Sequence, residues 1–115
     1  MAIRKGRHRI QEFALIQALA RRFAQNSSHL VQGIGDDAAV IAAPAPAWWH
    51  VTTDLLAEGV HFDLRTASAE SVGYRAAMAN LSDIAAMGAS PRYLLVSLAA
   101  PRTFTAARIF ELYEG

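Results

Sequence analysis

The stretch Ser68-Ala69-Glu70-Ser71-Val72-Gly73-Tyr74-Arg75-Ala76-Ala77-Met78-Ala79-Asn80-Leu81-Ser82-Asp83-Ile84-Ala85-Ala86-Met87-Gly88 reads as one helix with both ends marked. Ser68 offers a hydroxyl to the first unpaired amides, with Ser71 rather than Glu three residues on. Gly88 accepts the left-handed conformation that stops a helix. Ala76, Ala77, Met78, Ala79, Leu81, Ile84, Ala85 and Ala86 turn apolar surface in nearly every direction, so the pattern predicts a helix buried on most sides. Asn80 and Asp83, three apart, share a face. An ionised carboxylate there needs a positive partner, either a salt bridge to Arg75 or Arg92 or a bound cation.

Upstream of this helix, Ile10, Phe13, Ala14, Ala18 and Leu19 recur at helical spacing and predict an amphipathic helix over 10–24, broken by Asn26, Ser27 and Ser28. Leu30 leads into the turn Gly33-Ile34-Gly35, a short strand is expected over 38–42, and Pro44 and Pro46 enforce a turn. The aromatic and β-branched run 48–53 predicts a second strand with Asp54 at its carboxyl end. Residues 55–66 lack a period, contain Gly59 and read as a functional loop. Downstream, 93–98 predicts a strand covered on both faces, bounded by Pro91 and Pro101, and a last helix begins near Phe104 and is still running at Gly115. The fold class is α/β (α+β), a mixed or antiparallel sheet with helices on one face, over 10–115.

Length and composition narrow the function. A chain of 115 residues, 53% hydrophobic, is enough for one core and not two. It has no cysteine, which excludes disulfides and thiolate-bound zinc or iron–sulfur centres, and the expected location is cytoplasmic. Net charge is +1 but unevenly distributed: Met1 to Arg22 carries six Lys/Arg against Glu12, whereas Gly33 to Asp83 carries seven Asp/Glu against Arg65 and Arg75. Residues 1–9 read as a basic, solvated tail. No aromatic residues interleave with its charges, so no nucleic-acid partner is expected, and no apolar run is long enough for a membrane span.

The acid falls in three clusters: Gly33-Ile34-Gly35-Asp36-Asp37-Ala38-Ala39-Val40, Val51-Thr52-Thr53-Asp54 and Asn80-Leu81-Ser82-Asp83. Magnesium takes a few carboxylates and keeps water and substrate phosphates as its other ligands, so aspartates from separate elements point to a metal-bridged phosphate site. Taken singly, each cluster has a plainer reading: an Asp-rich turn, a strand end, a salt bridge. His61 is either a ligand contact or a solvated loop histidine, and Trp48 and Trp49 are either a stacking platform or core and interface residues. Met78 and Met87 read as core filler, while His8, His29 and His50 show no metal-ligand spacing.

In order, Gly-Ile-Gly-Asp-Asp-Ala-Ala-Val, Thr-Thr-Asp-Leu-Leu-Ala-Glu-Gly-Val-His-Phe and Asn-Leu-Ser-Asp-Ile-Ala-Ala-Met-Gly-Ala resemble the amino-terminal domain of the thiamine-monophosphate kinase family, from about Glu12 to Gly115. That family is grouped with aminoimidazole-ribonucleotide synthetase, selenophosphate synthetase and the hydrogenase-maturation carbamoyl dehydratase. The resemblance implies an ATP-dependent phosphotransferase that converts thiamine monophosphate to thiamine diphosphate. It implies several Mg2+ ions held by Asp37, Thr52, Thr53, Asp54 and Asp83, a thiamine contact at His61 and an ATP contact at Tyr113. It also implies a homodimer whose sheets form a barrel. Asp36 receives no role, and no strong general base is needed. The family's members are much longer, with a Gly-Gly-Asp motif and a closing α/β domain beyond the position of Gly115, so this chain reads as truncated and inactive alone. The alternatives are another ATP-dependent synthetase of the superfamily, against which the missing Cys counts for selenophosphate synthetase, or a non-catalytic dimerisation module.

Overall fold

The computed structural model describes residues 11–24, 26–35, 39–43 and 48–115. The chain divides into two compact units, Met1–Ala45 and Pro46–Gly115.

In the first unit, α1 spans Glu12–Phe23. Gln11 gives it no side-chain cap, but Glu12 in the first turn and Arg21 and Arg22 in the last oppose the helix dipole at both ends. Leu19 is its buried residue, whereas Phe13, on the predicted apolar face, is exposed. β1 (Leu30–Gln32) pairs antiparallel with β2 (Val40–Ile41), Leu30 facing Ile41 and Gln32 facing Val40. Two steps along β1 thus match one along β2, an irregularity at Val31 of the kind a bulge introduces. The Ala42 amide extends the pairing to the His29 carbonyl at 2.7 Å. Gly35, at φ 124°, takes a backbone conformation in the intervening turn that a side chain would resist. The predicted strand over 38–42 is therefore present as β2, and β1 is a strand the sequence pattern did not reveal.

The second unit is organised by two helices, α2 (Ala69–Ala86) and α3 (Ala106–Glu114). Ser68 caps α2, its hydroxyl accepting from the Ser71 amide at 3.1 Å. At the other end Gly88 adopts φ 66°, its amide reaches the Ala85 carbonyl at 2.9 Å and the Ala89 amide reaches Ile84 at 3.1 Å, the two bonds of a Schellman motif. Thr105 caps α3 by accepting from the Arg108 amide, and Phe104 and Ile109, both buried, occupy the flanking and fourth positions of a hydrophobic staple. α2 and α3 pack where Gly73 meets the Leu112 backbone, so close that a Cβ on residue 73 would overlap the Leu112 carbonyl oxygen. Ala69, Val72, Phe104 and Ile109 form the buried core of this unit. Burial of Val72, Phe104 or Ile109 contributes about 1.5–3 kcal/mol each.

Five expectations need correction. α2 is not buried on most sides: α3 covers its first turns, while Met78 and Leu81 are partly exposed. Among the described residues neither 48–53 nor 93–98 pairs into a sheet, which has two strands only. Both segments lie outside any helix or strand and leave large apolar side chains open, Trp48 at 94% and Leu95 at 81% exposure. β-branched and aromatic content favours a pleated conformation, but a strand exists only where a neighbour accepts its hydrogen bonds. The core reading of Trp48 and the reading of Met87 as core filler fall with the same observation, since Met87 is exposed as well.

Candidate functional site

Two of the acidic clusters meet. The Thr52 hydroxyl donates to Asp83 Oδ2 at 2.7 Å, across a sequence separation of 31. The capped ends of α2 fix where Asp83 falls, in the helix's last turn, which contains no basic residue. A carboxylate at the negative end of a helix dipole is disfavoured by about 0.3–1 kcal/mol, and a cation would remove that penalty. The salt-bridge alternatives are not realised: among the described residues Asp83 pairs with neither Arg75 nor Arg92, and the Arg75 guanidinium is turned to a backbone carbonyl instead. Beside the pair lies an open cleft of about 540 Å³ bounded by Trp49, His50, Ile84 and Met87 as well as Thr52 and Asp83.

The donor chemistry fits a hard divalent cation. Thr52 donates its hydroxyl hydrogen to the bond with Asp83, which leaves the lone pairs of Oγ1 available, and Asp83 retains a second carboxylate oxygen. Thr53 and Asp54 follow on the same segment, both exposed, and no hydrogen bond joins them to Asp83 among the described residues. Asp36 and Asp37 lie outside the described residues. Among those described, no three His, Cys, Asp or Glu side chains converge as a metal-ligand group.

His61 sits in a tight turn of its own making. The Ala57 amide donates to His61 Nδ1 at 3.0 Å, the His61 amide returns to the Ala57 carbonyl at 2.9 Å, and the Gly59 amide donates to the Phe62 carbonyl at 2.8 Å. Gly59, at φ 80°, makes the reversal. Because Nδ1 accepts, a neutral His61 ring carries its proton on Nε2, which makes that atom a hydrogen-bond donor. Arg75 Nη1 donates to the His61 carbonyl at 2.6 Å. Sequence reasoning missed this tether; a lone arginine on a helix carries no pattern that points to a backbone oxygen fourteen residues away. Close by, Arg65 forks onto both Asp63 oxygens, which holds the Asp63 carboxyl below its usual range, but the pair is solvent-exposed. Tyr113 lies on α3, partly buried, and its burial raises the phenol above its usual value of 10.0.

Taken together, the second unit is an α-helical scaffold in an α/β chain that presents a hydroxyl–carboxylate pair on an open cleft. The chain belongs to the family described as AIR synthase related protein, N-terminal domain, which matches residues 35–115. It is 45% identical to the thiamine-monophosphate kinase of Bacillus subtilis (strain 168) over 106 residues, 92% of this chain and 32% of that protein. It is 43% identical to the thiamine-monophosphate kinase of Synechococcus elongatus over 81 residues, 70% of this chain and 25% of that protein. The thiamine-monophosphate kinase of Escherichia coli (strain K12) is 38% identical over 90 residues, 78% of this chain and 27% of that protein. The chain therefore spans about a third or less of the length of these relatives. No solved structure matches it. No helix among the described residues is long and apolar enough to cross a membrane.

Proposed function

We propose that the protein transfers a phosphoryl group from ATP to thiamine monophosphate, giving ADP and thiamine diphosphate, and that this chain contributes the acidic half of the site. The observation that carries the reading is the bond between Thr52 and Asp83, which joins two separate acidic motifs at the edge of an open cleft. The kinases to which the chain is similar supply the substrate class. Thr52, Thr53, Asp54 and Asp83, with Asp37, hold Mg2+ in this reading. Bound there, magnesium would neutralise the phosphate charges that keep nucleotide and acceptor apart.

The chain's own residues act by placement. Asp83 and Asp54 set where positive charge gathers, and Thr52 orients Asp83 through its hydroxyl. His61 offers Nε2–H to an acceptor atom of thiamine monophosphate, and Tyr113 contacts the nucleotide. The acceptor phosphate is already nucleophilic, so alignment carries most of the rate. A homodimer formed through the sheet, with the sheets of two copies closing into a barrel and the exposed apolar segments covered, belongs to the same reading, as does a cytoplasmic location.

The test is a chimera in which this chain replaces the matching part of the Bacillus subtilis kinase, assayed for thiamine diphosphate. Activity that depends on Mg2+ is the expected result. A folded chimera that hydrolyses ATP but never phosphorylates thiamine monophosphate would point instead to another ATP-dependent synthetase. A folded chimera that neither binds nor hydrolyses ATP would favour the dimerisation module.

A further inference from the structure

We propose that Arg75 is a positioning residue that locks the His61 turn to the helix bearing Asp83, so that one helix sets the spacing between the two. The segment from Thr52 to His61 is fastened to α2 at both of its ends. Thr52 Oγ1 donates to Asp83 Oδ2 at 2.7 Å, and Arg75 Nη1 donates to the His61 carbonyl at 2.6 Å. Arg75 and Asp83 lie eight residues apart on one helix, a rise of about 12 Å at 1.5 Å per residue. Within the turn, the bond from the Ala57 amide to Nδ1 and that from the His61 amide to the Ala57 carbonyl fix the imidazole relative to the local backbone. Those bonds are internal to the turn and leave its position on the helix unset, and the Nδ1 bond is solvent-exposed, so it opens readily once the turn is not held in place. The Arg75 bond supplies that position.

The choice of partner carries the inference. Arg75 is exposed, and its guanidinium, always charged and built to grip a carboxylate with two parallel bonds, spends an N–H on a neutral carbonyl instead. Holding a long side chain in one rotamer for such a bond has an entropic cost, and what it secures is the carbonyl of the residue that presents the Nε2 donor. The functional part of the inference rests on the proposed role of His61 toward thiamine monophosphate; the structural part does not.

Two measurements separate these parts. In the chain itself, the imidazole nitrogen resonances of His61 and the amide exchange of Ala57 and His61 are recorded for wild type, Arg75→Ala and Arg75→Lys. The wild type shows an unprotonated Nδ1, while Arg75→Ala loses that signature and exchanges its Ala57 and His61 amides about tenfold faster or more, as local opening becomes easier. Arg75→Lys, which keeps a charged donor, recovers part of both. In the kinase chimera, Arg75→Ala raises KM for thiamine monophosphate about tenfold to a hundredfold, as displaced binding groups do, and leaves KM for ATP unchanged. His61 signals identical in wild type and Arg75→Ala overturn the proposal. So does an altered turn with unchanged KM for thiamine monophosphate, if His61→Ala does raise that constant. Should His61→Ala leave it unchanged as well, the assigned role of His61 fails, and the nitrogen and exchange signatures alone decide whether Arg75 positions the turn.

Discussion

At residue scale the decisive contact is between Thr52 and Asp83. The place of Asp83 on a helix was legible, but the burial expected to force a partner on it is absent, since Asp83 is exposed. Its bond to Thr52 was not legible, since neither spacing nor composition encodes a contact 31 residues distant. Asp83→Asn keeps the shape and hydrogen-bonding capacity of the side chain but removes a negative ligand. In the chimera it should lower the magnesium-dependent rate by about a hundredfold or more, the scale of a lost electrostatic stabiliser, while the melting temperature does not fall, since the charge is disfavoured at the helix end. Near wild-type turnover at limiting magnesium would refute the assignment. Tyr113 gives a second residue-scale expectation. Its pKa is raised by burial, so its folded value lies above its unfolded value of 10.0, and the stabilisation from keeping the phenol neutral is fully present below that pH. It fades as pH rises through the folded value. A spectrophotometric alkaline titration should show a phenol step above the usual tyrosine value, and Tyr113→Phe should abolish that step.

At the scale of elements, α2 shows what sequence can and cannot disclose. Its ends were readable at Ser68 and Gly88 because capping is local: the serine hydroxyl reaches an amide three residues on, and the glycine supplies a left-handed backbone within the same turn. Gly73 was not readable. A glycine inside a helix weakens it, and only the Leu112 backbone against its face explains its presence. The two glycines therefore predict different failures. Gly73→Ala gains helix propensity of up to about 1 kcal/mol yet should still destabilise by about 1–3 kcal/mol, because α3 must move to admit the methyl. Gly88→Ala should cost about 1–2 kcal/mol through backbone strain alone, since nothing crowds its Cβ. Urea unfolding reads both, and the α2–α3 amides distinguish them: their shifts should move in Gly73→Ala and stay in place in Gly88→Ala. Equal stability of Gly73→Ala and wild type would show that the helices are not packed this closely.

For the whole molecule, the helices and their caps were legible while most of the sheet was not. A helix satisfies its backbone within itself, whereas 48–53 and 93–98 need neighbours that the described residues do not include. Their exposed side chains, among them Trp48, Val51, Leu55, Leu94, Leu95 and Val96, amount to more apolar surface than scattered single residues would leave in water. Exposed apolar chain of this kind is a ready surface for a second such chain. The proposed homodimer would use these segments, and sedimentation should then return twice the mass of one 12.5 kDa chain. Leu95→Lys places a charge on one of the most exposed of these side chains and touches none of the buried residues Val72, Phe104 and Ile109 by substitution. The substitution should lower the sedimenting mass toward the single chain and leave the helical circular dichroism unchanged. A wild-type protein that sediments as one chain at every concentration would remove the dimer from the proposal and leave the Thr52–Asp83 site untouched, because both of its residues belong to one chain.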